Sequence, residues 1–181
     1  MRFIVLVIHL GLLGLGACGS SPASVDASGD DAPGDGTPGD PLGTCTGQCK
    51  TTALTAAFKA TRTLDSAYFG VTSQDGSLHI EAYKRSGTGC PTMSSPTPDY
   101  TLVISSMAAP SSKAPLMSPI NILDFKGDLL TNALGLAATM ETLTPVAYSA
   151  GNFVAVDVNA VFSQGTVTGH LYATHCASLD G

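Results

Sequence analysis

The stretch FVAVDVNAVFSQGTVTGHLYATH, residues 153–175, decides the fold. In its first half, apolar side chains take every second position, at Val154, Val156, Val158, Ala160 and Phe162. In its second half, Val167, Gly169, Leu171 and Ala173 alternate with polar and aromatic residues. This period of two is typical of a β-strand with one buried face. Ser163-Gln164-Gly165 supplies a turn between the halves, so the stretch predicts two strands joined in sequence.

Shorter segments with similar alternation precede this pair and predict further strands. In residues 78–83, Leu78, Ile80 and Ala82 alternate with His79, Glu81 and Tyr83, which predicts a half-buried strand with one wet face. Asp75-Gly76 predicts a turn before it. The other predicted strands are residues 51–59, 66–72, 100–105 and 120–125. The Pro- and Ser-rich segments 86–99 and 106–119 are predicted loops, where a binding rim is expected.

Residues 128–144 fit two patterns. Leu130, Ala133, Leu134 and Ala137 have helical spacing, whereas Leu134, Leu136, Ala138 and Met140 have strand spacing. We favour a strand, because every neighbouring element is a predicted strand. Seven or eight short strands separated by turns predict that residues 45–181 form an all-β domain, an antiparallel β-sandwich of immunoglobulin-like or jelly-roll-like type.

Four cysteines, Cys45, Cys49, Cys90 and Cys176, lie in this domain. An even number in an exported chain indicates two disulfides. A zinc site would need two closely spaced pairs, and only the first two cysteines are close. If the first and last strands pair antiparallel, Cys49 comes beside Cys176, which leaves Cys45 for Cys90. Four cysteines allow three connectivities, so this pairing is a hypothesis.

The chain starts with Met1-Arg2 and an apolar run at residues 3–13, followed by Leu15-Gly16-Ala17-Cys18. The run is shorter than the roughly 20 residues that span a bilayer, and the pattern is typical of a secretory signal. The four residues Leu15-Gly16-Ala17-Cys18 resemble the lipobox of bacterial lipoproteins.

That resemblance implies removal of residues 1–17 as a signal peptide and attachment of fatty acyl groups, such as palmitate, to Cys18. It also implies a membrane anchor in the bacterial cell envelope. Gly19 rather than Asp follows the cysteine, which favours the outer membrane where enteric sorting rules apply. An ordinary secretory signal cleaved after Ala17 is the alternative.

Residues 18–44 are expected to form a disordered tether. Gly, Pro, Ser and Asp make up 19 of the 26 residues from 19 to 44, and such a composition buries too little apolar surface to fold. A calcium site was the alternative, but the segment lacks the closing Glu of an EF-hand loop. Residues 45–181 carry seven basic and nine acidic residues, so the domain offers no basic stripe for nucleic acid.

The sequence carries no motif that defines a catalytic, cofactor or metal site. It has no Gly-x-Ser-x-Gly elbow and no His-Glu-x-x-His pair. His170 and His175 are five residues apart on one predicted strand, so they face opposite sides. Both are interpreted as structural, on a solvated face and at a strand end respectively. Asp157 and Asn159 are interpreted as a wet outer face, with a ligand-binding pair as the alternative.

The expected function is therefore that of a surface lipoprotein with a structural, adhesive or ligand-binding role rather than an enzyme. One alternative is an envelope hydrolase whose active site is dispersed along the sequence. Another is a lipid-carrier or assembly accessory protein with an apolar cavity between its sheets. A pocket near the two long loops would distinguish these functions by its lining and its titratable groups.

Overall fold

The computed structural model describes residues 41–84 and 89–181, which belong to one compact unit. This part is all-β, as predicted, and includes the one-turn 3-10 helices Gly47–Lys50 and Ala177–Leu179. None of the helices in the described ranges has the length and apolar character needed to cross a membrane. The strands are β1 Ala53–Ala57, β2 Thr61–Leu64, β3 Ser66–Val71, β4 Leu78–Tyr83, β5 Tyr100–Met107, β6 Ile120–Asp124, β7 Gly135–Ser149, β8 Phe153–Phe162 and β9 Gly165–His175.

Seven strands, β3 to β9, close into a mixed barrel. From β3 to β9 each strand pairs antiparallel with the next one in the chain. The ring closes where β9 pairs parallel with β3, at Tyr68 opposite Thr174 and Phe69 opposite His175. The predicted sandwich is therefore wrong. Period-two alternation gives each strand one buried face, and a sandwich and a barrel use that face in the same way.

The hairpin of β1 and β2 extends the sheet beside the barrel. β1 pairs antiparallel with the first half of β9, where Leu54 lies opposite Gly169. β3 takes the end of the same edge of β9, so this edge is shared between two strands. Gly169 has a φ of 129°, and a Cβ there would overlap the carbonyl oxygen of Ala53. A glycine is required at this position because the two backbones approach so closely.

The apolar positions of the alternating pattern are buried, as predicted, and in this fold they point into the barrel. The side chains of Val154, Val156, Val158, Val167 and Leu171 are all buried. They join one continuous core with apolar side chains from the other strands, among them Leu54, Phe69, Ile80, Leu102, Ile104 and Ile122. Side chains thus fill the barrel interior.

The ambiguous segment 128–144 is a strand only from Gly135 onward, because residues 128–134 form an irregular loop. Pro145 does not end β7, although proline removes a ladder hydrogen bond. It lies where the register with β8 shifts, between Pro145 and Ala147, and proline is tolerated at such irregularities. β2 was not predicted, because its four residues are too few for a periodic pattern.

Asp124 determines the path of the loop after β6. Its carboxylate is 1% exposed and accepts backbone hydrogen bonds from Gly127 at 2.6 Å and from Leu129 and Leu130 at 2.8 Å each. Burial raises the pKa of this carboxyl, but the three backbone donors together outweigh burial and hold the pKa below its usual value. The folded-back loop inserts both leucines into the core.

The disulfides are Cys45–Cys49 and Cys90–Cys176, so the predicted pairing is wrong. The strand pairing behind it is confirmed, since β1 and β9 are antiparallel. Cys49 does not reach Cys176, because β3 takes the place next to the end of β9. The chain before β1 instead turns through the helix Gly47–Lys50, which brings Cys49 to Cys45.

The segment before β1 packs on the outer face of β7, β8 and β9. The amide of Gly43 donates to the carbonyl of Val146 at 3.0 Å. Cys45 joins Ala147 and Ala155 in a small second cluster of buried residues. The expected signal peptide, the lipidation site Cys18 and the tether up to residue 40 lie outside the described residues.

Candidate binding cleft on the outer face of the barrel

A cleft of ≈ 730 Å³ lies between the outer face of β4, β5 and β6 and the loop at residues 89–99. The register of the three strands arranges its floor in rows across the sheet. Glu81 lies opposite Val103 in one row, and Tyr83, Thr101 and Leu123 form the next. The complete lining is Glu81, Tyr83, Lys84, Pro91, Thr92, Ser95, Pro96, Thr97, Pro98, Asp99, Thr101, Val103, Leu123 and Phe125.

The floor faces outward and is nevertheless largely covered. Along β4 and β5 its residues alternate with core residues such as Ile80 and Leu102, so they point away from the barrel interior. Tyr83 is 3% exposed and Thr101 is 4% exposed. The prediction that residues 78–83 have one wet face is therefore wrong at Tyr83. The outer face of these strands carries apolar surface that the loop covers.

The loop that forms the wall is fastened at both ends. At one end, the Cys90–Cys176 disulfide joins it to the end of β9, and the hydroxyl of Ser178 donates to the carbonyl of Pro91. At the other end, the carbonyl of Asp99 accepts from the amides of Phe125 at 3.0 Å and Lys126 at 3.2 Å. A proline-rich segment also has few backbone conformations available, so the wall is held in place over the floor.

A turn in the loop gives the wall further definition. The amide of Ser95 donates to the carbonyl of Thr92 at 2.9 Å, and the amide of Thr92 donates to the Ser95 hydroxyl at 2.9 Å. Loop residues 91, 96 and 98 are prolines and line the cleft. The wall therefore combines apolar residues with a small number of hydroxyl groups.

Charged groups lie at the two ends of the cleft, and the middle is mainly apolar. At one end, Glu81 Oε1 lies 3.3 Å from Nε2 of His79. At the other end, Asp99 Oδ2 lies 3.5 Å from Nζ of Lys126. Glu81 lies opposite Val103, and Val103 is four residues from Asp99 along the chain. The backbone at one end is therefore about 13 Å from the backbone at the other. Lys84 follows β4 and lies beyond Tyr83 relative to Glu81.

A polar network next to the cleft stabilises this end of the barrel. Asp128 accepts hydrogen bonds from the Tyr100 hydroxyl and from Arg62 Nη2, the latter at 3.1 Å, and Arg62 Nε donates to the Tyr100 oxygen at 3.0 Å. These contacts lower the pKa of Asp128, with the Tyr100 hydrogen bond as the largest cause. Burial, followed by the hydrogen bond to Asp128, raises the pKa of Tyr100. The three side chains satisfy one another and link β2, β5 and the Asp124 loop.

The three histidines singled out from the sequence lie apart and each contacts a carboxylate. His170 Nδ1 lies 2.7 Å from Asp157 Oδ1, and its Nε2 lies 2.9 Å from the carbonyl oxygen of Cys49. His175 Nε2 lies 3.0 Å from Asp180 Oδ1. Across residues 41–84 and 89–181, no group of three or more His, Cys, Asp or Glu is arranged to hold a metal ion.

The predicted outer face at Asp157 and Asn159 is confirmed, since both residues are exposed. Asp157 forms a pair with His170 rather than with Asn159, and that histidine reaches the chain at Cys49. This contact joins the N-terminal disulfide loop to β8 and β9. We therefore interpret Asp157 as a structural residue.

Of the two loops predicted to form a binding rim, one lines the cleft and the other does not. Residues 89–99 of the first loop form the cleft wall. The second loop, 106–119, lies against β7 through the bridge of Leu116 with Leu143 and does not line the cleft. Sequence reasoning missed the floor, although a signal was present: the outward positions at Tyr83, Val103 and Leu123 are apolar.

A comparison with protein-family models, curated proteins and solved structures finds no match to this chain.

Proposed function

We propose that the protein is an exported, lipid-anchored binding protein whose barrel presents a cleft for a small, mainly apolar ligand. The observation that carries this proposal is the cleft itself. Its volume of ≈ 730 Å³ lies within the range of about 300–1,000 Å³ typical of small-molecule sites. Its apolar middle with polar groups at the ends is the usual composition of such sites. Because side chains fill the barrel interior, the ligand binds outside it.

The side chains around the cleft favour binding over catalysis. A nucleophilic mechanism needs a base within hydrogen-bond reach of a hydroxyl or thiol. In the described part of the chain the histidine rings bond to carboxylates and, for His170, to a backbone carbonyl, and none is hydrogen-bonded to a hydroxyl or thiol. Glu81 and Asp99 lie in rows whose backbones are about 13 Å apart along the strands, and each has a different partner, His79 and Lys126 respectively.

The export part of the proposal is supported by the two disulfides, because such bonds persist in oxidising compartments. The anchor rests on the lipobox resemblance at residues 15–18. Residues 18–40 then act as a tether that holds the barrel away from the outer membrane, because Gly43 is already bonded to Val146 of β7. A flexible chain of about 23 residues has a root-mean-square span of roughly 25 Å.

Cys18→Ser is expected to move the protein from the membrane fraction to the soluble fraction, because the acylated sulfur is lost. Fractionation of cells followed by immunoblotting measures this shift. Glu141→Gln, which leaves Cys18 and both disulfides intact, serves as a control and is expected to stay with the membranes. If the Cys18→Ser chain still sediments with membranes and is processed normally, the lipid anchor is wrong.

The cleft is tested by the binding of a neutral fluorescent probe, N-phenyl-1-naphthylamine, to the full chain carrying Cys18→Ser. Val103→Arg places a long charged side chain on the floor opposite Glu81, so we expect binding of the neutral probe at least tenfold weaker. Fluorescence titration measures the affinity. Val103 is partly exposed on the outer face, so the substitution leaves the core unchanged.

Val161→Arg is the matched control. Val161 lies on the outer face of β8 opposite Met140, in a second exposed apolar area where the side chains are 37% and 69% exposed. The probe should bind this variant as tightly as the parent chain. If Val161→Arg weakens binding and Val103→Arg does not, the cleft is not the binding site.

A further inference from the structure

We propose that the cleft selects ligands with an apolar body and one cationic group, and that Glu81 receives the cation. This inference rests on the proposed function, because it names the ligand class of the same cleft. It follows from the position of Glu81, the charges around the cleft and the aromatic ring in the adjacent row.

Glu81 holds a carboxylate in a fixed place at one end of the apolar floor. It lies on β4 between two pairing strands, β3 and β5, opposite Tyr68 and Val103. Its side chain is 28% exposed, so water screens its charge less than it would on an open surface. Its Oε1 lies 3.3 Å from Nε2 of His79 on the same strand, and the His79 side chain is 35% exposed.

Among the described residues of the lining, Glu81 is the acidic group at its end of the cleft. Lys84 and Asp99 lie toward the far end, and Asp99 is already paired with Lys126 at 3.5 Å. An anionic ligand group next to Glu81 would meet a like charge. A cation gains the attraction of the carboxylate while its apolar body covers Val103 and Leu123.

Tyr83 gives the floor next to Glu81 a fixed apolar surface. It is two residues from Glu81 on the same strand, so both side chains lie on the outer face in neighbouring rows. Its ring stacks on that of Tyr68 at a centroid distance of 6.2 Å, and the residue is only 3% exposed, so its place is fixed. The apolar body of a ligand therefore borders Tyr83 while its cationic group meets the Glu81 carboxylate.

Three probes with one scaffold test the inference: neutral N-phenyl-1-naphthylamine, its anionic 8-sulfonate, and a cationic analogue with a trimethylammoniomethyl group at that position. The full chain carrying Cys18→Ser is expected to bind the cationic probe at least fivefold more tightly than the neutral one and the anionic probe more weakly. Glu81→Gln should bring the cationic and neutral affinities within twofold of each other while the neutral affinity stays unchanged.

Glu141→Gln is the matched control, since Glu141 is the other glutamate of the chain and lies on β7 outside the cleft lining. It removes the same net charge and should keep the preference. Equal binding of the cationic and neutral probes to the parent chain would overturn the inference and leave the proposed function standing. Binding of no probe would overturn both. A preference that survives Glu81→Gln would overturn the role of Glu81.

Discussion

Replacing Cys90 and Cys176 together by alanine is expected to lower the free energy of unfolding by about 4 kcal/mol. The bond joins residues 86 positions apart, and the entropy of closing so long a loop in the unfolded chain corresponds to about 4–5 kcal/mol. Cys176 is fully buried, so its replacement also removes core contacts. Urea unfolding followed by circular dichroism measures the loss.

The second disulfide provides the control. Cys45 and Cys49 are only four residues apart, so the same entropy argument gives about 2 kcal/mol. Their replacement by alanine is expected to cost clearly less and to leave probe binding intact, whereas loss of the Cys90–Cys176 bond should also weaken probe binding. Equal losses of stability for the two double variants would contradict the assignment of the longer bond as the main cross-link.

Asp124→Asn is expected to destabilise the domain by about 3 kcal/mol. Three backbone amides donate to this buried carboxylate, and an amide side chain offers only one acceptor oxygen and no charge. Leu129 and Leu130 also lose the turn that holds them in the core. Asp157→Asn is the control, because its carboxylate is 58% exposed and its pair with His170 contributes under about 1 kcal/mol.

The same carboxylate gives the stability a defined dependence on pH. The pKa of Asp124 is lower in the folded protein than in the unfolded chain, so folding favours the ionised form. Its contribution is complete above the unfolded value, near pH 4, and is lost as the pH falls toward the folded value. Below about pH 4 the stability of the parent chain should therefore fall more steeply than that of Asp124→Asn. Parallel slopes for the two chains would contradict this role.

The strands were predictable where a single periodic pattern is long enough to read. In residues 153–175, alternation located β8, β9 and their turn, because each strand buries one complete face. β2 has only four residues, and the segment before β7 is irregular up to Gly135. Local pattern carried too little information in both places.

Barrel closure could not be predicted from the same pattern. It depends on the choice of partners for β9, which takes β1 and β3 on one edge and β8 on the other. That choice is a long-range property of the chain. The disulfide pairing was predicted wrongly for the same reason. β3 pairs with the end of β9, so Cys49 is kept away from Cys176.

The cleft was predictable in part. The Pro-rich composition of residues 86–99 indicated a loop suited to binding, and the structure places residues 89–99 in the wall. The floor could be located only once the strand register was known, because Tyr83, Val103 and Leu123 become neighbours only when three strands pair. The role of Asp124 was hidden too, since its partners come from a loop whose path it determines.

The most direct test of the cleft is a map of backbone amide chemical shifts when N-phenyl-1-naphthylamine binds the isotope-labelled full chain carrying Cys18→Ser. The largest changes are expected at Tyr83, Thr101, Val103 and Leu123 and in the loop at residues 89–99. Changes centred on Met140 and Val161, or on core residues of the barrel interior, would contradict this expectation.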